Sequence, residues 1–268
     1  MIFAVYYKHM QEYAVVTGAT SGIGLEFARL FAADGVSLVL VARSKAVLHE
    51  VARELRESYA VDVHIVAADL AIIENVERVY EYTVQNKLPI HYVINNAGVG
   101  DYGEFIEGSW QKEHGMINLN IVALTYLTKK YASQFVKRGS GHIVNVSSTA
   151  AFQPGPLMAV YFATKAYVLH FSEAVASEVH KHGVRVTALC PGPTASKFQE
   201  AAAMSQSKLV QGKLLPTAAQ VARYGYKAMR RGKVVAIHGA SNKISAYAIR
   251  LLPRRTVRAI VHRSQRTH

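Results

Sequence analysis

Seven short apolar runs alternate with longer stretches of helical periodicity along the whole chain. The runs are Tyr13–Thr17, Ser37–Ala42, Val63–Ala67, Tyr92–Asn95, His142–Ser147, Val184–Cys190 and Val234–His238. Helical stretches cover 23–34, 45–58, 72–86, 110–137, 158–181 and 217–231. Most runs are continuous in Val, Ile, Leu and Ala, as in strands covered on both faces. Strand–helix alternation of this kind predicts a parallel sheet joined by right-handed crossovers. The expected fold class is α/β, a doubly wound seven-stranded parallel sheet in a single domain.

The first strand runs into Thr17-Gly18-Ala19-Thr20-Ser21-Gly22-Ile23-Gly24 and then a helix. Glycines there permit a tight turn and close backbone approach to a pyrophosphate at the helix N-terminus. The strand–turn–helix setting makes this a Rossmann-type dinucleotide seat, with Gly18, Thr20, Ser21, Gly22, Ile23 and Gly24 as its residues. No Lys-Ser/Thr follows the glycines, so it is not a triphosphate loop. Strand two ends in Val41-Ala42-Arg43-Ser44, where NAD-binding folds usually carry an acid for the ribose 2′-hydroxyl. A guanidinium suits a 2′-phosphate instead, so Arg43 predicts NADP(H).

Tyr161 and Lys165 are four residues apart and share a helix face, with Ser148 thirteen residues earlier at the end of strand five. An ammonium beside a phenol is expected to draw its pKa from about 10 towards the working range. A serine hydroxyl can then hold the substrate oxygen. With 15 tyrosines in the chain, about one Tyr-x-x-x-Lys pair is expected by chance, and Tyr126/Lys130 is a decoy of the same spacing. Thirteen residues before Tyr126 stands Glu113 in a polar stretch, whereas Ser148 leaves an apolar strand at its carboxyl end, where open α/β sheets place ligands.

The formal net charge is +13, which points to an anionic partner. No recognised nucleic-acid module accompanies it, so nucleic acid is not expected. The single cysteine, Cys190, rules out an internal disulfide and reads as a small buried hydrophobe. Scattered histidines lack the spacing of a zinc site, and no metal is expected. No apolar run reaches the ~20 residues of a bilayer span, and the first residues lack a signal-peptide pattern. A cytoplasmic location is the expectation.

Thr17-Gly18-x-x-x-Gly22-Ile23-Gly24, Asn95-Asn96-Ala97-Gly98, Asn120, Ser148, Tyr161-x-x-x-Lys165 and Pro191-Gly192, in that order and spacing, resemble the short-chain dehydrogenase/reductase family in its short single-domain branch. The resemblance covers roughly residues 13–240. Its flavour is that of DltE-type bacterial reductases and the 17β-hydroxysteroid dehydrogenase type 12 group. It implies Tyr161 as general acid in reduction, Lys165 as the group lowering its pKa and bonding the nicotinamide ribose, and Ser148 as the orienter of the carbonyl. It implies Asn120, with Asn118 as rival, as holder of a relay water. Asp69, followed by Leu70, would approach the adenine. Asn96, Ala97 and Gly98 would flank the cofactor, and Pro191, Gly192 and Thr194 would meet the nicotinamide carboxamide. Ser147 is the other serine candidate, and Ser196 the alternative to Thr194. The family also implies a homodimer or homotetramer, through helices 110–137 and 158–181.

The expected activity is NADPH-dependent reduction of a ketone, aldehyde or acyl carbonyl on an apolar small-molecule substrate. A non-catalytic NADP(H)-binding regulator or membrane-associated scaffold is the alternative, and the full Ser/Tyr/Lys/Asn set argues against it. Residues 1–243 form the expected catalytic domain, with a substrate loop at about 193–215 that orders on binding. Residues 244–268 form a basic amphipathic extension that Pro253 interrupts. Three fates stay open for it: packing on the core or a sister subunit, peripheral contact with an anionic membrane, or a solvated tail.

Overall fold

The computed structural model describes residues 11–196 and 215–265. All seven expected strands form and pair in parallel: β1 (Tyr13–Thr17), β2 (Ser37–Ala42), β3 (Val63–Ala67), β4 (Ile90–Asn95), β5 (Gly141–Val146), β6 (Val184–Cys190) and β7 (Val235–Ile237). Their order is β3-β2-β1-β4-β5-β6-β7, so the sheet reverses direction of growth between β1 and β4. Side chains alternate between its two faces. Ala14, Val16, Leu38 and Leu40 enter one core, beneath α1 (Gly22–Ala33), α2 (Lys45–Tyr59) and α7 (Ala218–Arg230). Tyr13, Val15, Val39 and Val41 enter the other, beneath α3 (Ile73–Gln85), α5 (Leu124–Arg138) and α6 (Ala159–Val179). Both faces are covered, which is why the strands read as continuous apolar runs.

Small departures from the expected elements have local causes. β7 is shorter than 234–238 because it pairs only with β6, through Val235, Ala236 and Ile237. The stretch 110–137 is one helical column with three parts. It begins as α4 (Trp110–Ile117), widens into a π-helical segment at Asn118–Ala123 and continues as α5. Such a segment often sits at a functional site.

The basic stretch after 240 is ordered into α8 (Ala240–Ala248), a 3₁₀ turn (Ile249–Leu251) and α9 (Arg254–Gln265), with Pro253 between the last two. In this structure α9 packs on the core. Val257 and Val261 are buried against Ala150, Met158 and Phe162, while Arg254, Arg255, Arg258 and Arg263 stay exposed. No helix among the described residues is long and apolar enough to cross a membrane. Most of the expected substrate loop, residues 197–214, lies outside the described residues.

Candidate active site

The carboxyl ends of β1, β4, β5 and β6 converge where the strand order reverses, the position at which open α/β sheets bind ligands. The glycine turn after β1 is held from below by Asn96. Its Nδ2 donates to the carbonyls of Thr17 (2.9 Å) and Gly18 (3.3 Å). Thr17 completes the clamp: its Oγ1 accepts from the backbone of Asn96 (2.9 Å) and Ala97 (3.0 Å). Asn96 thus supports the turn from the protein side. Gly18 has φ +65°, and a Cβ there would lie 2.7 Å from Asn96 Nδ2. Gly24 packs tighter still, since its Cβ would lie 2.4 Å from the Gly18 carbonyl oxygen.

Among the described residues, a Cβ on Gly22 would meet only Ser196, at 3.6 Å. Ser21 precedes α1 without using its hydroxyl to cap it, so side-chain capping leaves the first-turn N–H groups of a 12-residue helix available to an anion. Thr20, Ser21 and Ile23 are partly exposed beside them. This cradle fits a dinucleotide pyrophosphate.

Arg43 is exposed just past β2 and, among the described residues, has no ion-pair partner. Asp69 caps its own turn, its Oδ1 accepting from the Ala71 amide at 3.0 Å, and Leu70 is buried in the second core. These positions lie at the β2–β3 end. Tyr161 and Lys165 lie beside β5, three strand spacings or roughly 14 Å from β2, as an elongated ligand requires.

Ser148, Tyr161 and Lys165 come together. Ser148 sits where β5 gives way to a short 3₁₀ turn; its hydroxyl accepts from the Ala150 amide at 3.1 Å, donates to the Pro191 carbonyl at 3.4 Å, and lies near enough to the Tyr161 hydroxyl to pull its pKa down. Ser147 points elsewhere: it is buried and donates to the Lys165 carbonyl at 2.8 Å. Lys165 is buried, and its Nζ donates to the Val146 carbonyl at 2.9 Å. It stands over the Tyr161 ring, 5.7 Å from the centroid. Tyr126 and Lys130 form a similar contact at 5.2 Å, but there the lysine is exposed on α5.

The expected lowering of the phenol pKa is not what this pocket produces. Burial pushes Tyr161 up to about 12, outweighing the downward pull of Ser148. Burial also pushes Lys165 down to about 8. Desolvation penalises each charged form, and the ammonium faces the ring and the Val146 carbonyl.

Asn120 is buried within the π-helical segment, whereas Asn118 is partly exposed. Asn120 Oδ1 accepts from the Val99 amide (3.0 Å), and its Nδ2 donates to the Val99 carbonyl (2.9 Å) and Thr164 Oγ1 (3.1 Å). It therefore pins the Asn96-Ala97-Gly98-Val99 strand exit to α6. A Cβ on Gly98 would lie 3.1 Å from Asn120 Oδ1 and 3.4 Å from Lys165 Nζ, so all three converge.

After β6, the Pro191 carbonyl accepts from the Thr149 amide at 2.9 Å, tying this strand exit to that of β5. Gly192 is hemmed in by Asn242, 2.4 Å from a would-be Cβ. Thr194 Oγ1 donates back to the Gly192 carbonyl at 2.9 Å, while Ser196 is the residue nearer the glycine turn. Cys190 is fully buried, with burial pushing its thiol up to about 12. It is an inert packing residue here.

The pattern reading overlooked Thr17, Thr164 and the roof of the pocket. Thr17 and Thr164 had a signal, being adjacent to the glycine turn and inside Tyr-x-x-x-Lys. The roof had none: Tyr102, Val257 and Val261 reach Tyr161 from 59 to 100 residues away.

The short chain dehydrogenase family profile matches residues 12–207. The chain is 30% identical over 183 residues to 7β-hydroxysteroid dehydrogenase of Mediterraneibacter gnavus, covering 68% of this chain and 69% of that one. It is 34% identical over 191 residues to the very-long-chain 3-oxoacyl-CoA reductase of Homo sapiens, covering 70% of this chain and 61% of that one. A short-chain dehydrogenase from Sphingobium yanoikuyae, solved in complex with NADPH, superposes with a TM-score of 0.81 at 32% identity, covering 90% of this chain and 94% of that chain. With the dinucleotide cradle and the Ser–Tyr–Lys cluster at the sheet's reversal point, these likenesses establish that the chain belongs to the short-chain dehydrogenase/reductase family and is an NAD(P)-dependent oxidoreductase.

Proposed function

We propose that the protein is an NADPH-dependent reductase of carbonyl groups on apolar substrates. The observation that carries this reading is Tyr161 set beside Ser148 and Lys165 and packed against Ala150, Met158, Phe162, Val257 and Val261. A nicotinamide held by this cradle would supply the hydride for the carbonyl carbon. Ser148 holds the carbonyl oxygen, and Tyr161 gives its proton to that oxygen as negative charge develops. Lys165 stabilises the phenolate that remains. Asn120 positions the Val99 segment against α6 rather than touching the reacting atoms.

Burial raises the phenol, so Tyr161 starts protonated, as a proton donor must. Lys165, held near 8, loses its charge as pH rises. The sign follows: kcat/KM for reduction is flat at low pH and falls by about tenfold between pH 6 and pH 9, as one essential proton is lost. A profile rising through pH 8 would contradict the assigned role of the ammonium.

Substrate size and polarity follow from the apolar wall, and the relatives named for a steroid and a very-long-chain acyl substrate support a bulky apolar partner. Cofactor choice rests on Arg43, exposed and, among the described residues, without an ion pair where a 2′-phosphate would sit. Arg43→Ala should lower kcat/KM for NADPH by about 10- to 100-fold, the loss of charge-assisted bonds, and change that for NADH far less. The direct test is a screen of NADPH and NADH oxidation over ketones, aldehydes and acyl thioesters of graded hydrophobicity. A wild-type preference for NADH, or turnover confined to small charged substrates, would overturn the reading.

A further inference from the structure

The last acid in the chain is Glu200. Residues 201–268 hold 14 of the 31 lysines and arginines, whereas residues 1–200 hold 17 of them against all 18 acids. The net charge of +13 therefore belongs wholly to residues 201–268. Within that stretch, α8 and the 3₁₀ turn that continues it carry apolar side chains on both sides. Inwards, Ala246 is buried in a cluster with Leu169 and Ile237, and Asn242 and Ile249 are partly buried. Outwards, Ile244, Tyr247 and Leu251 recur at i, i+3 and i+7 and are 69%, 52% and 87% exposed. A surface helix ordinarily has polar residues on its outer face.

Arginines border this stripe. Arg250, Arg254 and Arg255 lie within four residues of Leu251, and Arg258 follows one helical turn later on α9. All four are exposed, and among the described residues none has an ion-pair partner. Val257 and Val261 hold α9 on the core and leave its arginines to solvent. Exposed aliphatic side chains beside unpaired guanidinium groups match a surface where phosphates lie over hydrocarbon. A nucleic acid would neutralise the arginines and leave Ile244 and Leu251 in water. A second copy of the same face would set arginine against arginine.

We propose that the outer face of α8 and α9 docks the protein on an anionic lipid bilayer. Ile244, Tyr247 and Leu251 enter the boundary between headgroups and acyl chains, and Arg250, Arg254, Arg255 and Arg258 meet lipid phosphates. The buried face of α9 stays on the core, so docking needs no unfolding. The contact is peripheral, and it stands apart from the carbonyl-reductase reading because lipid binding is measured without turnover.

The test is co-sedimentation of the full chain with phosphatidylcholine vesicles, either pure or containing one third phosphatidylserine. Wild type should bind the anionic vesicles at least about tenfold more tightly, and added salt should weaken that binding. The double variant Arg254→Gln/Arg255→Gln should lower the affinity by about 10- to 30-fold, since each basic residue near such a surface contributes about fivefold. Ile244→Ser/Leu251→Ser should lower it by about tenfold or more through lost apolar burial. All four positions are exposed, so the Tm of either variant should stay within about 2 °C of wild type. No binding of wild type to anionic vesicles, equal binding to both vesicle types, or undiminished binding by either double variant overturns the proposal. Binding to random-sequence RNA without vesicle binding overturns it in favour of nucleic acid. A dimer in light scattering that Ile244→Ser/Leu251→Ser dissociates, again without vesicle binding, overturns it in favour of a second copy.

Discussion

Tyr161→Phe should lower kcat on a confirmed substrate by about 10²- to 10⁴-fold, the usual contribution of a positioned general acid. Affinity for NADPH should stay within a few-fold of wild type, because the cradle at Gly18–Gly24 does not touch the phenol. The fold should survive as well. Ser148 keeps the Ala150 amide and the Pro191 carbonyl as partners, and the ring keeps its contacts in the cluster with Phe162 and Met158. The measurement is NADPH oxidation beside a fluorescence titration of bound NADPH. Full turnover by the phenylalanine variant would show that the proton comes from elsewhere.

Gly24→Ala should have the second large effect, on cofactor affinity and stability together. Its added Cβ would stand 2.4 Å from the Gly18 carbonyl oxygen and 2.5 Å from Asn96 Nδ2. The first is backbone, and the second is the amide that clamps the turn through the Thr17 and Gly18 carbonyls. Neither can retreat without opening the cradle. Overpacking of this sort costs about 1–3 kcal/mol in stability, and a displaced turn should weaken NADPH binding by on the order of 10- to 100-fold, as lost charge-assisted bonds to a phosphate would. Gly115→Ala is the control. It lies in α4 with nothing within 4 Å of a would-be Cβ, so it should stabilise by about 0.5–1 kcal/mol through helix propensity. Thermal denaturation of both variants separates the steric cost from the generic cost of replacing a glycine. A Gly24→Ala variant that binds NADPH normally would remove the glycine turn from the cofactor site.

Much of the site was legible because its signals are local. A glycine turn between an apolar strand and a helix is specified by neighbouring residues, as is a tyrosine one helical turn before a lysine. Thirteen residues separate Ser148 from Tyr161, and the strand that ends at Val146 delivers it. The two serines at that strand's end were harder. They are adjacent, and an extended backbone turns them to opposite sides, Ser147 to the Lys165 carbonyl and Ser148 to the phenol. Asn120 was separable from Asn118 only by fit to a resemblance, whereas the structure separates them by burial inside a π-helical segment that no periodicity marked.

The order of strands and helices, the phosphate cradle and the Tyr–Lys pair were determined by the sequence itself, since each depends on residues within a few positions of one another. Tertiary structure alone decided the protonation energetics of that pair. Burial raises the phenol and lowers the amine, and burial is set by Met158, Phe162, Val257 and Val261 arriving from different parts of the chain. It likewise placed the basic segment after residue 244. Its composition left a packed helix, a membrane surface and a solvated tail open, and the apolar seam beside Tyr161 gives Val257 and Val261 somewhere to leave water.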